Sequence, residues 1–151
     1  IDQSLFARTI LDEKNGPPPE VNLFNEKNNG ESILELIKKD FIKSAHDISL
    51  GGLLTAVSKM CIKGNKGIKL NKSKNLINEI EYFFSEDQGR YIIEINPTDF
   101  KEVSKILDKN SVHFEELGII IDKELIINQK TKVTIDELKS YNTNWLKTYM
   151  S

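Results

Sequence analysis

Apolar residues recur at two spacings along the chain, and these spacings predict a mixture of helices and strands. From 31 to 41, and again from 53 to 62, apolar residues fall every three or four positions, which is typical of helices with one buried face. Between them the segment KSAHDIS favours a short buried strand. Gly51-Gly52 then fits a tight turn. The predicted local unit is strand, glycine turn, helix.

The second half of the chain continues this alternation. Two β-favouring runs flank the polar segment SEDQGR, which predicts a hairpin-like region, and Pro97 fits the first turn of a helix. The elements expected after the glycine turn are strands at 67–70, 82–84, 91–95, 114–121, 124–127 and 132–135, and helices at 97–109 and 136–150. This order predicts an α+β fold, layered α/β, in which helices pack against a mixed β-sheet.

Composition narrows the classes of function. The chain has 151 residues, of which 38% are hydrophobic, enough for the core of one globular domain. Its 21 basic and 23 acidic residues give a net charge of −2, so we expect neither nucleic acid nor a membrane as a partner. The single cysteine, Cys61, lies on an apolar helix face and favours a core thiol in a reducing, cytoplasmic compartment. Because the first residue is Ile1, we expect the chain to begin inside a longer polypeptide.

The first candidate site is the end of the predicted strand before the glycine turn. There His46, Asp47 and Ser49 precede Gly51 and Gly52, and a helix follows. Glycines that allow close approach, next to free N–H groups at a helix start, would suit a phosphate-bearing ligand. In the alternative interpretation, His46 and Asp47 hydrogen-bond each other or the turn, and the glycines serve packing only.

The second candidate site is SEDQGR, which contains Glu86, Asp87, Gln88 and Arg90. Unpaired polar groups cost about 1 to 3 kcal/mol each when buried, so these side chains should face a cleft, an ion or one another. In a strand, alternation would place Glu86 and Gln88 on the side of Arg90 and turn Asp87 away. The alternative is a charged turn with an exposed pair between Arg90 and Glu86.

Four segments in order, DQSLFARTIL, GPPPEVNLF, SAHDISLGGL and FFSEDQGRYIIEI, resemble the phosphoribosylformylglycinamidine synthase (PurL) family. The resemblance covers nearly the whole chain and lies in the C-terminal domain that this family shares with aminoimidazole ribonucleotide (AIR) synthetase, the PurM-like fold. It implies that residues 1–24 are a linker and helix leading in from an N-terminal domain. Residues 25–151 would then form the AIR-synthetase-related C-terminal domain.

The resemblance also implies an activity for the full-length protein. Enzymes of this family are ATP-dependent carbon–nitrogen ligases of de novo purine biosynthesis. They convert formylglycinamide ribonucleotide and glutamine-derived ammonia to formylglycinamidine ribonucleotide. The implied cofactors are ATP and Mg²⁺, with none bound tightly by this segment. The implied partners are the preceding domains of the same polypeptide, a glutaminase subunit and a small bridging subunit. We expect this segment alone to be inactive.

Site residues follow from the resemblance motif by motif. The cleft candidates are His46, Asp47, Ser49, Gly51, Gly52, Glu86, Asp87, Gln88 and Arg90. Asp47 is also the implied Mg²⁺ ligand. Leu50 departs from the family pattern, which has an acidic residue before Gly-Gly. Two alternatives stay open: another PurM-like synthetase or kinase, and a non-catalytic structural domain.

Overall fold

The computed structural model of the protein describes residues 3–71 and 78–151. In these residues the helices are α1 (Leu5–Ile10), α2 (Leu23–Lys38), α3 (Gly52–Gly64), α4 (Glu79–Phe84), α5 (Phe100–Lys109) and α6 (Ile135–Met150). The strands are β1 (Ile42–Asp47), β2 (Gly67–Leu70), β3 (Tyr91–Ile95), β4 (Gly118–Ile121), β5 (Glu124–Ile127) and β6 (Thr131–Thr134). The α+β prediction is confirmed. Within the described residues, no helix is long and apolar enough to cross a bilayer.

The chain forms two compact units. The first contains the residues up to Ala56 together with Asn78–Phe114, and the second begins at Val57 and includes Glu115–Ser151. The boundary therefore falls inside α3. The division at residue 24 that the resemblance implies is a different one and stays a prediction.

The first unit is built on an antiparallel pair of strands, β1 and β3, with α2 and α5 supplying much of its core. Leu36, Val103 and Leu107 are buried together at the centre. Apolar residues from both strands, from α5 and from the segments next to β1 and α5 pack around them: Phe41, Ile42, Ile93, Ile95, Ile106, Val112 and Phe114. Burial of such side chains contributes about 1.5 to 3 kcal/mol each, so this cluster fixes the strand pair against the helices.

The second unit contains a four-stranded mixed sheet in the order β4-β2-β5-β6. β2 runs parallel to β5 and antiparallel to β4, and β6 is antiparallel to β5. Helix α6 follows β6 directly, and a capping box closes its first turn. There the Thr134 hydroxyl accepts from the Glu137 N–H, and the Glu137 carboxylate accepts from the Thr134 N–H. Hydrogen bonds that the Thr134 N–H and then the Thr134 hydroxyl donate to the Glu137 carboxylate lower the pKa of Glu137.

Several predicted elements differ from the structure. Residues 82–84 belong to helix α4 and not to a strand, because the Asn78 side chain accepts from the Ile80 N–H and acidic residues occupy the first turn. Strand β1 was expected to be buried, but its residues are half-buried on one face and exposed on the other. The predicted strand 114–121 is shorter, since only its last four residues pair. Helix α2 begins earlier than predicted, at Leu23, after the Asn22 cap. The polar stretch at 72–77 lies outside the described residues.

Candidate functional site

An open cleft of about 370 Å³ lies in the first unit. The sequence candidates that line it are Asp47, Ser49, Glu86, Gln88 and Arg90. The structure thus brings together parts of both motifs, although about forty residues separate them. The other candidates, His46, Gly51, Gly52 and Asp87, belong to the same two segments but are not part of the cleft lining.

The pairing of β1 with β3 explains why the two motifs meet. The strands are antiparallel, so the end of β1 lies beside the start of β3, with Asp47 opposite Tyr91. Beyond the last strand pair, the Ile48 N–H donates to the Arg90 carbonyl oxygen at 2.8 Å. The cleft therefore forms where the β1–α3 turn and the α4–β3 loop leave the two-stranded sheet.

The glycine turn is held by contacts within the chain. Gly51 and Gly52 have φ angles of +85° and +70°, which favour glycine. A Cβ added at Gly52 would lie 2.7 Å from the carbonyl carbon of Phe84, so α3 and α4 approach each other too closely for a side chain. The Gly52 N–H donates to the Ser49 carbonyl oxygen at 2.9 Å, and the Gly51 N–H donates to Glu86 Oε1 at 2.8 Å. The N–H groups of both glycines are thus engaged by oxygens of the chain.

The segment SEDQGR is a loop closed on itself and not a continuation of a strand. Gln88 and Gly89 form a turn, with Gly89 at φ +69°, so the expected alternation of side chains does not apply. Arg90 donates to the Ser85 carbonyl oxygen at 2.6 Å and lies 3.8 Å from an Asp87 carboxylate oxygen. The expected placement of Asp87 away from Arg90 is therefore wrong. In these contacts Arg90 is paired with Ser85 and Asp87, and Glu86 binds backbone N–H groups instead.

His46 and Asp47 contact each other at the end of β1. The Nδ1 atom of His46 lies 2.5 Å from the backbone oxygen of Asp47 and 3.4 Å from its carboxylate. The side chain of Asp47 is 65% exposed, whereas that of His46 is 27% exposed. Asp47 is consequently the member of this pair that is available to a ligand in the cleft. These contacts are the ones that the alternative interpretation of this motif describes.

The carboxylates of the cleft do not form a complete metal site. Glu26, Asp47 and Glu86 all line it, but no three His, Cys, Asp or Glu side chains in the described parts of the chain are grouped so as to hold a metal ion. One oxygen of Glu86 already accepts two backbone N–H groups. The residues present therefore do not fit a Mg²⁺ ion held by this unit alone, and the role of Asp47 as one metal ligand stays a prediction.

Helix α2 contributes a wall that the sequence did not indicate. Glu26 lines the cleft, and a Cβ added at Gly89 would come within 3.3 Å of the Glu26 Cα atom. One turn further along, Asn29 donates to the Gly89 carbonyl oxygen at 2.8 Å and ties the loop to the helix. The available signal was Asn22, whose side chain caps α2 well before the predicted start at residue 31. Ile48, Leu50 and Tyr91 complete the lining.

One known protein of similar sequence matches nearly the whole of this chain, and the chain matches only part of that protein. The phosphoribosylformylglycinamidine synthase subunit PurL of Pelagibacter ubique (strain HTCC1062) is 67% identical over 150 residues. The match covers 99% of this chain and 20% of that protein. The chain therefore spans about a fifth of the length of the relative that it matches.

Solved structures of the PurL protein from Thermotoga maritima share the fold. With FGAR bound, that protein superposes with a TM-score of 0.72 at 21% identity, over 88% of this chain and 24% of that one. Its complex with ATP gives 0.66 at 22% identity, over 76% and 22% of the two chains. The PurLQS structure gives 0.68 at 22% identity, over 87% and 24%. At these identities the likeness establishes the fold and no more.

A family model described as "AIR synthase related protein, C-terminal domain" matches residues 3–128. The match includes both motifs of the cleft and ends before α6. The resemblance stated from the sequence is thereby confirmed. The chain belongs to the family of AIR synthase related proteins, whose C-terminal domain it carries.

Proposed function

We propose that this chain is the C-terminal part of a phosphoribosylformylglycinamidine synthase. The enzyme would be the ATP-dependent ligase that forms formylglycinamidine ribonucleotide from formylglycinamide ribonucleotide and glutamine-derived ammonia. The observation that carries the proposal is the 67% identity to the Pelagibacter PurL subunit over 150 residues. An identity this high over nearly the whole chain supports the same activity for the full-length protein.

In this proposal the chain supplies one wall of a cleft that other parts of the polypeptide complete. The open cleft of about 370 Å³ and the exposed carboxylate of Asp47 support a surface that meets a ligand together with another domain. The N–H groups of Gly51 and Gly52 already donate to oxygens of the chain, so we expect residues of other domains to bind the phosphate groups of the ligand. We therefore expect the isolated chain to have no synthetase activity.

The proposed enzyme uses ATP and Mg²⁺, with the metal held largely by residues beyond this chain. Complexes of the Thermotoga PurL protein with ATP and with FGAR support a nucleotide and a ribonucleotide as ligands. The structure described as PurLQS supports partner subunits, which we take to be a glutaminase and a small bridging subunit. A cytoplasmic location is part of the same proposal and rests on the single, buried cysteine.

A non-catalytic structural domain is the second candidate function. It is favoured by one observation, namely that Arg90, Gly51 and Gly52 are satisfied by contacts inside the chain. In that case the polar motifs would stabilise the first unit, and the cleft would take no ligand. The synthetase and the structural domain differ in one expectation: a change at Asp47 should weaken ligand binding only in the synthetase.

Titration calorimetry with ADP, Mg²⁺ and formylglycinamide ribonucleotide distinguishes the two candidates. It should be run on this chain and on the full-length polypeptide. We expect saturable binding in the full-length protein only. Asp47→Asn should weaken that binding, because it removes an exposed carboxylate from the cleft without a change of size. Asp108→Asn, an exposed position on α5, is the matched control and should bind as the unmodified protein does.

Activity provides the second readout. The full-length protein should form the amidine with consumption of ATP, while the 151-residue chain should not. Equal binding by the Asp47→Asn protein and its control would favour the structural domain. Turnover by the isolated chain would contradict the proposal that the cleft is completed elsewhere.

A further inference from the structure

Glu86 is the point at which three segments of the first unit meet. Its Oε1 atom accepts from the Gly51 N–H at 2.8 Å and from the Leu5 N–H at 2.8 Å. Gly51 belongs to the turn before α3, and Leu5 is the first residue of α1. A single carboxylate oxygen on the α4–β3 loop thus joins segments that are far apart in the sequence.

Helix α1 is a firm anchor for this contact. Ser4 is 1% exposed and caps the helix by accepting from the Ala7 N–H, and Ala7 is 2% exposed. The ring of Phe6 stacks on that of Phe84, with ring centroids 4.5 Å apart. Because α1 is fixed by these contacts, a carboxylate bound to its first N–H is fixed as well.

The glycine turn needs such a restraint. Two consecutive glycines lose more conformational freedom on ordering than any other pair of residues would. The Glu86 contact reaches the first of them, directly after Ser49 and Leu50, which line the cleft. Hydrogen bonds to an ionised acceptor are about twice as strong as neutral ones, so this contact can select one conformation of the turn.

We infer that Glu86 is a positioning residue. Its Oε1 atom sets the glycine turn, and through it the placement of Ser49 and Leu50 in the cleft wall. This differs from the role that the family resemblance implies, in which the Glu86 segment contacts the substrate. The role of Glu86 in holding the turn is independent of the proposed function, whereas its effect on ligand binding in the cleft rests on that function.

Amide hydrogen exchange, followed by NMR on the 151-residue chain, tests the positioning role. In Glu86→Ala we expect the Gly51 and Leu5 amides to exchange at least about tenfold faster, which corresponds to the loss of one charge-assisted hydrogen bond at each. Glu86→Gln keeps an acceptor oxygen without the charge, so protection should be partly restored. Glu20→Gln, at an exposed position of the same unit, is the control.

The Ile48 amide separates positioning from general destabilisation. It donates to the Arg90 carbonyl oxygen beside the same cleft, and its exchange should stay unchanged in Glu86→Gln. Unchanged exchange at Gly51 and Leu5 in a folded Glu86→Ala protein would overturn the inference. So would equal acceleration at Ile48. If the full-length protein proved to have no synthetase activity, the proposed function would fail, whereas the exchange result would stand by itself.

Discussion

The Nη2 atom of Arg90 lies 2.6 Å from the backbone carbonyl oxygen of Ser85, so the last residue of the α4–β3 loop closes that loop. The same atom lies 3.2 Å from the Ser85 hydroxyl, and Nε lies 3.4 Å from the Asp87 carbonyl oxygen. A planar guanidinium can reach these oxygens together, which the single ammonium of a lysine cannot do. The loop therefore depends on arginine in particular and not only on a positive charge.

We expect Arg90→Lys to lower the free energy of unfolding by about 1 kcal/mol, or Tm by about 2 to 4 °C. Thermal unfolding followed by circular dichroism measures this. The matched control is Arg8→Lys. Arg8 is exposed and contacts the side-chain oxygen of Gln3, so that change should stay within about 0.5 kcal/mol. Equal effects at the two positions would contradict the role given to Arg90.

Gly52→Ala should be strongly destabilising. The added Cβ would meet the Phe84 carbonyl carbon and the Phe83 carbonyl oxygen at 2.7 and 2.8 Å, at a φ of +70°. Both the close contact and the backbone conformation oppose a side chain, and we expect a loss of more than about 2 kcal/mol. Denaturant unfolding of purified protein measures the loss.

The control for Gly52 lies on the same helix. A Cβ added at Gly64, the last residue of α3, meets no atom of the described residues within 4 Å. Gly64→Ala should therefore be neutral or stabilise the protein by up to about 1 kcal/mol, since alanine favours a helix more than glycine does. A comparable loss in both variants would show that the packing of Gly52 is not the cause.

Asn110→Ala should lower the free energy of unfolding, because it removes the side-chain amide that donates to a buried hydroxyl. The Asn110 amide donates to Ser32 Oγ at 3.0 Å and to Glu35 Oε2 at 3.3 Å, and Ser32 is fully buried. Loss of that donor should cost about 1 to 2 kcal/mol in chemical denaturation. Asn144→Ala on α6 is the control, because its amide bonds the exposed Ser140 hydroxyl and should contribute less than about 0.5 kcal/mol.

The same substitution should change the titration of Glu35. Hydrogen bonds from Lys39 and then from Asn110 lower the pKa of that carboxyl. In Asn110→Ala the Glu35 pKa should therefore rise toward its ordinary value, which NMR titration of the side chain can follow. An unchanged Glu35 pKa would mean that the Asn110 contact is not formed in solution.

The burial of Cys61 should make the stability of the protein depend on pH in the alkaline range. Burial raises the pKa of its thiol from 9.0 to about 11. Between these values the unfolded chain releases a proton that the folded chain retains, so the free energy of unfolding should fall as the pH rises from 9 to 11. Denaturant titrations of the unmodified protein and of Cys61→Val across this range measure the difference, because other groups titrate equally in both. Parallel pH dependence would contradict the burial of this thiol.

Regular periodicity explains which elements the sequence could predict. Strands β2, β3 and β5 match the predicted ranges, and α3 and α6 lie within two residues of theirs, because their apolar residues follow one period and capping or turn residues mark the ends. Helix α5 begins three residues later than predicted, because Pro97–Asp99 form a separate 3₁₀ turn. The strand predicted at 82–84 was wrong. Three aromatic residues favour a strand there, but the Asn78 cap and the acidic first turn favour a helix, and the helix forms. Propensity alone does not decide so short a segment.

The sequence indicated which two segments form the candidate site, but it did not indicate which atoms their side chains contact. Residues of both motifs line one cleft because β1 and β3 pair in antiparallel fashion, and their contact with a ligand stays a prediction. The partners of Glu86, however, are backbone groups at Gly51 and Leu5. Those contacts depend on where α1 packs in three dimensions, and no local pattern in the sequence specifies that.

In the proposed synthetase, the contact between Glu86 and Gly51 would also affect the entropy of ligand binding. A turn of two glycines would ordinarily become ordered only when a ligand arrives, and that ordering would weaken binding. Here the Glu86 carboxylate accepts from the Gly51 N–H, so the turn is already held by a contact within the free protein. In the proposed synthetase, ligand binding would therefore cost less conformational entropy at this turn than at a turn without such a contact.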